Sequence, residues 1–218
     1  MFEAVIFDWD GTLADTRAII VSSFQQTLKE VNIDISNEYV ERRMGIGAAE
    51  TFREILRAAG RPVDEALVKR LVENKSQQQI HLKDQVQLFP GALELLVTLQ
   101  GKTRIGLASM NSKSVIDAIV KTKDLEKYFQ TIVAAESVTH SKPNPEIFLK
   151  CAKQLGVLPS KCVVVEDSLF GVKAAKAAEM GCIAVTTGVY SKAELEKEKP
   201  DLIVATLKTL EVLEFILS

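Results

Sequence analysis

Six short runs of apolar residues, rich in β-branched side chains, alternate with segments of helical periodicity along this chain. The runs occupy residues 4–7, 103–108, 131–135, 162–165, 183–186 and, more weakly, 202–205. Each run is continuously apolar and lacks the two-residue alternation of a half-exposed strand, which is typical of strands buried on both faces. The pattern therefore predicts a parallel sheet covered by helices.

The stretch between the first two runs contains no comparable strand. Apolar residues recur there at three- and four-residue spacing over residues 16–31, 38–43, 48–59 and 64–80. The predicted fold class is therefore α/β, a Rossmann-like parallel sheet core with an inserted α-helical cap domain. The predicted core domain comprises residues 1–15 and 83–218, and the cap comprises residues 16–82. The charged run 192–199 is interpreted as a solvated helical turn.

The composition narrows the possible partners and location. The 218 residues carry a formal net charge of -2 at pH 7, so nothing draws the chain as a whole onto nucleic acid or an anionic membrane. No apolar run approaches the ~20 residues that span a bilayer, and acids at Glu3 and Asp8 are unlike a signal peptide. Cys151, Cys162 and Cys182 form no CxxC pair, which suits a reducing compartment. We expect a cytoplasmic monomer or homodimer with no nucleic-acid or membrane partner.

Polar residues follow four of the predicted strands, at the sheet edge where open α/β folds bind ligands. The segments are Asp8-Trp9-Asp10-Gly11-Thr12-Leu13, Ser109-Met110-Asn111, Ser141-Lys142-Pro143 and Glu166-Asp167-Ser168. Four clustered carboxylates repel one another, so the set implies a cation. Because all donors are oxygens, Mg²⁺ is favoured over zinc. A metal, a lysine and helix N-termini together make a site for a phosphate group.

Each of these residues also has a purely structural alternative. Ser109 or Asn111 could cap the helix after the second run, and Asp167 or Ser168 the helix after the fourth. Lys142 taken alone is more often a solvated side chain than a ligand. Helix capping does not, however, require four acids at the ends of two strands. The joint placement therefore favours a functional site.

Four motifs in order resemble those of the haloacid dehalogenase superfamily of phosphatases and phosphomutases. The run from Asp8 to Thr16 resembles the first motif, and Ser109 matches the second. Lys142, within Ser-Lys-Pro-Asn-Pro-Glu-Ile-Phe, matches the third, and Glu166-Asp167-Ser168-x-x-Gly171 the fourth. The resemblance covers essentially the whole chain, including a helical cap inserted after the first motif.

The resemblance implies a division of roles among the acids. Asp8 would be the nucleophile that forms an aspartyl-phosphate, and Asp10 the general acid and then the general base. Mg²⁺ would be held by Asp8, by the main-chain carbonyl of Asp10, by Asp167 and by Glu166, directly or through water.

The remaining site residues would contact the phosphate or substrate. These are Trp9, Thr12, Ser109, Met110, Asn111 and Lys142 in the core, and Gly45 and Gly47 in a cap loop of residues 43–49. Among them Ser109 and Lys142 are counted with the catalytic residues. The position of Trp9 between two acids favours a side chain that points into the structure. Thr16 is expected to cap the first cap helix at a hinge.

Two cues on the substrate disagree. The cap loop from Gly45 to Ala48 resembles that of phosphoglycolate phosphatases, whereas the pair Glu166-Asp167 resembles sugar phosphatases and β-phosphoglucomutase. A mutase would be expected to carry a histidine where Ile20 stands and an arginine where Ala48 or Ala49 stands, so a hydrolase is favoured.

The prediction is a Mg²⁺-dependent phosphatase acting on a small phosphorylated metabolite, either phosphoglycolate or a sugar phosphate. Two alternatives stay open: a β-phosphoglucomutase-like phosphomutase, and a catalytically silent binding protein on the same fold.

Overall fold

The computed structural model describes all 218 residues and contains eight strands and ten α-helices, together with four short 3₁₀ helices. The strands are β1 (Ala4–Phe7), β2 (Ala14–Asp15), β3 (Gln87–Leu88), β4 (Arg104–Ala108), β5 (Thr131–Val133), β6 (Cys162–Glu166), β7 (Gly181–Val185) and β8 (Leu202–Val204). The helices are α1 (Arg17–Lys29), α2 (Asn37–Glu41), α3 (Ala48–Ala58), α4 (Glu65–His81), α5 (Ala92–Leu99), α6 (Lys113–Thr122), α7 (Glu146–Leu155), α8 (Leu169–Ala177), α9 (Lys192–Glu196) and α10 (Leu210–Leu217). None of these helices combines the length and apolar character needed to cross a bilayer.

Six strands form one parallel sheet in the order β5-β4-β1-β6-β7-β8. Strand β1 lies in the middle, and its last residue, Phe7, pairs with Leu107 on β4 and with Val165 on β6. All four residues of β1 are buried, as their unbroken apolar run predicts. The predicted α/β class is confirmed, and the carboxyl ends of β1, β4 and β6 lie side by side.

Helices α1 to α4 surround an apolar cluster of their own. Helix α3 contributes Phe52, Ile55 and Leu56, which share one face because they are three and four residues apart. The ring of Phe52 packs against that of Phe24 on α1, with 4.7 Å between ring centroids. These helices provide the predicted helical insertion, and the domain boundaries at 15/16 and 82/83 remain our proposal.

A two-stranded antiparallel pair joins the helical insertion to the sheet. Ala14 on β2 pairs with Leu88 on β3, and Asp15 pairs with Gln87. The sequence pattern predicts no strands here, because two-residue strands are too short to show a periodicity.

The helical layer also contacts the sheet layer at Arg42, the residue that follows α2. The guanidinium of Arg42 lies 4.5 Å from the ring centroid of Tyr190 and pairs with Glu194 on α9. The Tyr190 hydroxyl donates to the Arg42 carbonyl at 2.6 Å. The charged run 192–199 is therefore not wholly solvated, because one of its acids, Glu194, pairs with Arg42 of the helical insertion.

Replacing Phe52 with alanine should destabilise the protein by about 3–5 kcal/mol, because it removes a buried aromatic ring and leaves a cavity among α1, α3 and α4. Urea denaturation measures the loss. The control is Arg57→Ala on the exposed face of the same helix, which should change stability by less than about 0.5 kcal/mol. Equal stability of the two variants would contradict the assignment of Phe52 to a packed core.

Candidate active site

Three carboxylates meet where β1 and β6 end. Asp8 follows β1, Glu166 ends β6 and Asp167 comes next, and all three are buried. One oxygen of each lies within 4.8 Å of the others. The parallel pairing of β1 with β6 creates this cluster, since it places equivalent ends of the two strands side by side.

Lys142 bridges two of these acids from a fully buried position. Its Nζ donates to Asp8 Oδ1 at 2.7 Å and to Glu166 Oε1 at 2.6 Å. Burial by itself would lower the pKa of Lys142, but the two adjacent carboxylates outweigh burial and raise that pKa above its ordinary value. Lys142 is therefore a charged component of the site, and the solvated alternative does not apply.

Glu166 is held mainly by the chain itself. Its Oε2 accepts the main-chain N–H groups of Asp167 and Ser168, each at 2.9 Å, and the Ser168 hydroxyl at 3.0 Å. Ser168 also caps α8 by accepting the N–H of Gly171. Because Oε1 faces Lys142, Glu166 has less free capacity to bind a cation than its two neighbours have.

The Asp167 carboxylate accepts a hydrogen bond from a threonine hydroxyl and lies close to the backbone of two glycines. Thr12 Oγ1 donates to Asp167 Oδ1 at 2.9 Å, so Thr12 positions this acid, and its contact with a phosphate stays a prediction. A Cβ at Gly188 would lie 1.8 Å from Asp167 Oδ2, and one at Gly11 would lie 2.3 Å from it. Only glycine fits at these two positions. No motif in the sequence pointed to Gly188.

The site contains three buried carboxylates and one lysine, and burial makes the excess negative charge more unfavourable. Burial raises the pKa of Asp8 and of Asp167 well above the ordinary range, and the neighbouring carboxylates raise both further. A buried group of oxygen donors with excess negative charge fits a hard divalent cation such as Mg²⁺. Asp8 and Asp167 have the side-chain oxygens best placed to hold it.

Asp10 faces a different set of partners. Its carboxylate accepts from Thr16 Oγ1 at 2.7 Å, from Asn111 Nδ2 at 3.1 Å and from Ser109 Oγ at 3.4 Å. Thr16 precedes α1, but its side chain makes no capping hydrogen bond, because its hydroxyl is directed to Asp10. Asp10 is therefore oriented by neutral donors and lies apart from the side-chain acid cluster.

A cavity lies between the acids and the helical insertion. Asp8 and Asp10 line it from the sheet side, as do Met110 and Asn111, while Gly45 and Gly47 line it from the cap loop. Both glycines have positive φ, +106° at Gly45 and +90° at Gly47. A Cβ at Gly45 would lie 2.7 Å from Ser168 Oγ, so the close approach of this loop requires glycine.

The family model for haloacid dehalogenase-like hydrolases matches residues 5–185. The chain belongs to this family.

Relatives in the family point to phosphoryl chemistry. The pyrophosphatase PpaX of Oceanobacillus iheyensis is 28% identical over 208 residues, covering 94% of each chain. A phosphorylated carbohydrates phosphatase of Thermotoga maritima is 35% identical over 179 residues, covering 81% of each. The crystal structure of β-phosphoglucomutase from Clostridium difficile matches with a TM-score of 0.88 at 29% identity, over 100% of this chain and 97% of that one. The predicted family and hydrolase class are confirmed.

Six predicted site residues of this haloacid dehalogenase-like chain do not line the cavity: Trp9, Thr12, Ser109, Lys142, Glu166 and Asp167. The Trp9 side chain is fully buried and belongs to the same apolar core cluster as Leu13 and Val86. Among the others, Ser109, Thr12 and Lys142 each contact an acid of the site.

Lys75 on α4 lines the cavity and was missed by the sequence analysis. It is 3% exposed and donates to Asn111 Oδ1 at 3.3 Å. Burial lowers its pKa to about 8, against the opposing effect of Asp10. The available signal was its spacing: Val68 and Leu71 precede it on the buried face of α4, so a lysine occupies a position where an apolar residue is expected.

Replacing Lys142 with methionine should destabilise the metal-free protein by about 3–5 kcal/mol, because Asp8 and Glu166 would lose their buried counter-charge. Urea denaturation with a chelator present measures the loss of stability, and saturating Mg²⁺ should reduce the difference in stability between the variant and the wild type. The control Lys113→Met removes an exposed ion pair with Asp117 and should have little effect. Unchanged stability of the Lys142 variant in chelator would contradict this account of the site.

Proposed function

We propose that this protein is a Mg²⁺-dependent phosphatase that hydrolyses a small phosphomonoester through an aspartyl-phosphate on Asp8. One observation carries the proposal: two carboxylates with different surroundings, Asp8 and Asp10, line the same cavity. Asp8 contacts a buried lysine and lies in an acid cluster, whereas Asp10 is held by neutral donors. Two carboxylates in different environments suit two different chemical roles.

In the first step an oxygen of Asp8 attacks phosphorus, and the bond from phosphorus to the leaving oxygen breaks. Asp10 gives its proton to that oxygen, so the leaving group departs as a neutral alcohol. Lys142 holds the attacking carboxylate in place through its 2.7 Å contact. Asp8, Asp167 and the Asp10 carbonyl would hold Mg²⁺, with Glu166 binding directly or through water. The metal would reduce the repulsion between the nucleophile and the phosphate.

In the second step water attacks the phosphorus of the aspartyl-phosphate. Asp10 takes a proton from that water, the bond between phosphorus and the Asp8 oxygen breaks, and inorganic phosphate is released. Thr16 and Asn111 keep Asp10 in one position for both proton transfers. Ser109 and the main-chain N–H groups near Met110 would bind the phosphoryl oxygens.

The cavity lining supports a phosphatase over a mutase. Ile20 lines the cavity where a histidine would be expected in a mutase, and Ala48, one of the two positions where an arginine would be expected, lines it as well. Neither side chain can move a proton or hold a second phosphate for return to the enzyme. The names of the relatives, a pyrophosphatase and a phosphatase of phosphorylated carbohydrates, support hydrolysis as well.

We also infer a cytoplasmic location. The three cysteines are unpaired and buried, a usage common in proteins of reducing compartments.

Asp8→Asn should lower turnover more than about 10³-fold while leaving the fold intact, because the amide replaces the nucleophile with a side chain of the same shape. Phosphate release measures turnover, and circular dichroism checks the fold. The matched control is Asp117→Asn on the exposed face of α6, which should keep full activity. A folded Asp8 variant with undiminished activity would rule out the proposed nucleophile.

Phosphate release should also require a divalent metal. The assay compares phosphoglycolate, hexose phosphates, glycerol phosphates, nucleotides and pyrophosphate, each with Mg²⁺ and with chelator. Chelator-sensitive release from at least one of them is the expected result. Absence of release from every compound, an aryl phosphate included, would instead favour the mutase or the silent binding protein.

A further inference from the structure

The cap side of the cavity is mostly apolar. Ile20, Phe24, Val40 and Met44 line it there, and Thr51 uses its hydroxyl to donate to the Gly47 carbonyl at 2.9 Å. Such a wall offers few partners for the hydroxyl groups of a sugar, and burying a hydroxyl without a partner is unfavourable. Recognition of the part of the substrate beyond its phosphate therefore depends on the few charged groups of this wall.

Two cations line the cavity, and only one of them is unpaired. Arg43 Nε donates to Glu54 at 2.5 Å, and its guanidinium lies 3.3 Å from the ring centroid of Tyr39. Lys75 forms no ion pair: its one hydrogen-bond acceptor is the neutral Asn111, and its ammonium lies 5.5 Å from the ring centroid of Phe24. An ammonium has three N–H donors, so Lys75 has further donors to offer in the cavity. A buried cation without a counter-charge is unfavourable by itself, and an anion beside it would stabilise it.

Asn111 connects this cation to the chemical centre. Its Oδ1 accepts from Lys75 at 3.3 Å and its Nδ2 donates to Asp10 at 3.1 Å. Lys75 is thus separated by a single side chain from the acid that protonates the leaving oxygen. A group that contacts Lys75 must be only a few bonds away from the phosphorus being attacked.

We propose that Lys75 binds a second anionic group on the leaving side of the substrate. The substrate class is accordingly a short phosphate ester or anhydride whose other end is a carboxylate or a second phosphate. The inference rests on the proposed phosphatase function, extends it to an anhydride, and favours compact substrates with a second anionic group over phosphates of uncharged polyols. Phosphoglycolate and pyrophosphate represent the two possible anions.

The experiment compares matched substrates in the wild-type protein and in variants of α4. Phosphoglycolate is paired with 2-hydroxyethyl phosphate, which has nearly the same shape without the carboxylate, and pyrophosphate is tested separately. Wild type should favour phosphoglycolate or pyrophosphate over 2-hydroxyethyl phosphate by about 10- to 100-fold in kcat/KM, as a hydrogen bond between charged groups gives. Whichever anion shows the preference identifies the second group.

Lys75→Met should reduce that preference to near unity, mainly through a higher KM for the anionic substrate. Lys75→Arg, which keeps the charge, should retain part of it. The control Lys69→Met lies on the exposed face of the same helix and should leave the ratio unchanged. Lys75→Gln serves as a second neutral variant should the methionine variant fold poorly.

Two results would overturn the inference. One is a wild-type protein that hydrolyses 2-hydroxyethyl phosphate as well as phosphoglycolate and pyrophosphate. The other is an equal loss on all three substrates in the Lys75 variants, which would assign Lys75 to the transferred phosphate. Absence of hydrolysis of every substrate would instead reject the phosphatase function itself, so the two failures are distinguishable.

Discussion

The contact of the Lys142 ammonium with Asp8 and Glu166 is the interaction on which this site depends. Carboxylates buried at the ends of neighbouring strands repel one another, and the sheet pairing leaves them no room to separate. A fully buried lysine between two of them offsets part of the repulsion. It does not offset all of it, and the remaining negative charge is what makes the cluster suitable for a divalent cation.

Besides the shared Lys142, the acids of the site are held by different hydrogen-bond donors. Glu166 takes the first N–H groups of the turn into α8, Asp167 takes the hydroxyl of Thr12, and Asp10 takes neutral donors. Because Gly11 and Gly188 have no side chain, their backbone can lie close to the Asp167 carboxylate. The result is rigid acids beside a cavity, which suits chemistry that needs fixed distances.

The sheet and its carboxyl-end residues were predictable because both follow from local pattern. Unbroken apolar runs indicate buried parallel strands, and Asp8, Ser109 and Asp167 each come just after or within two residues of a strand end. Residues whose place depends on a distant part of the chain were not predictable in this way. Gly188 matters only because Asp167 folds against it, and the pairing of Glu194 with Arg42 depends on how the helical layer lies on the sheet.

Lys75 was predictable only in part, and it illustrates why substrate specificity is harder to predict from a sequence than the reaction is. Its burial could be anticipated from its spacing after Val68 and Leu71, but the acid it approaches lies 65 positions earlier in the chain and is reached through Asn111. In the proposed mechanism the reacting phosphate is bound by residues at strand ends, whose positions the sheet determines. The rest of the substrate meets helices whose register against the sheet no short motif encodes. A fold of this kind can therefore keep one reaction while single residues on the helical layer, such as Lys75, change which phosphate enters.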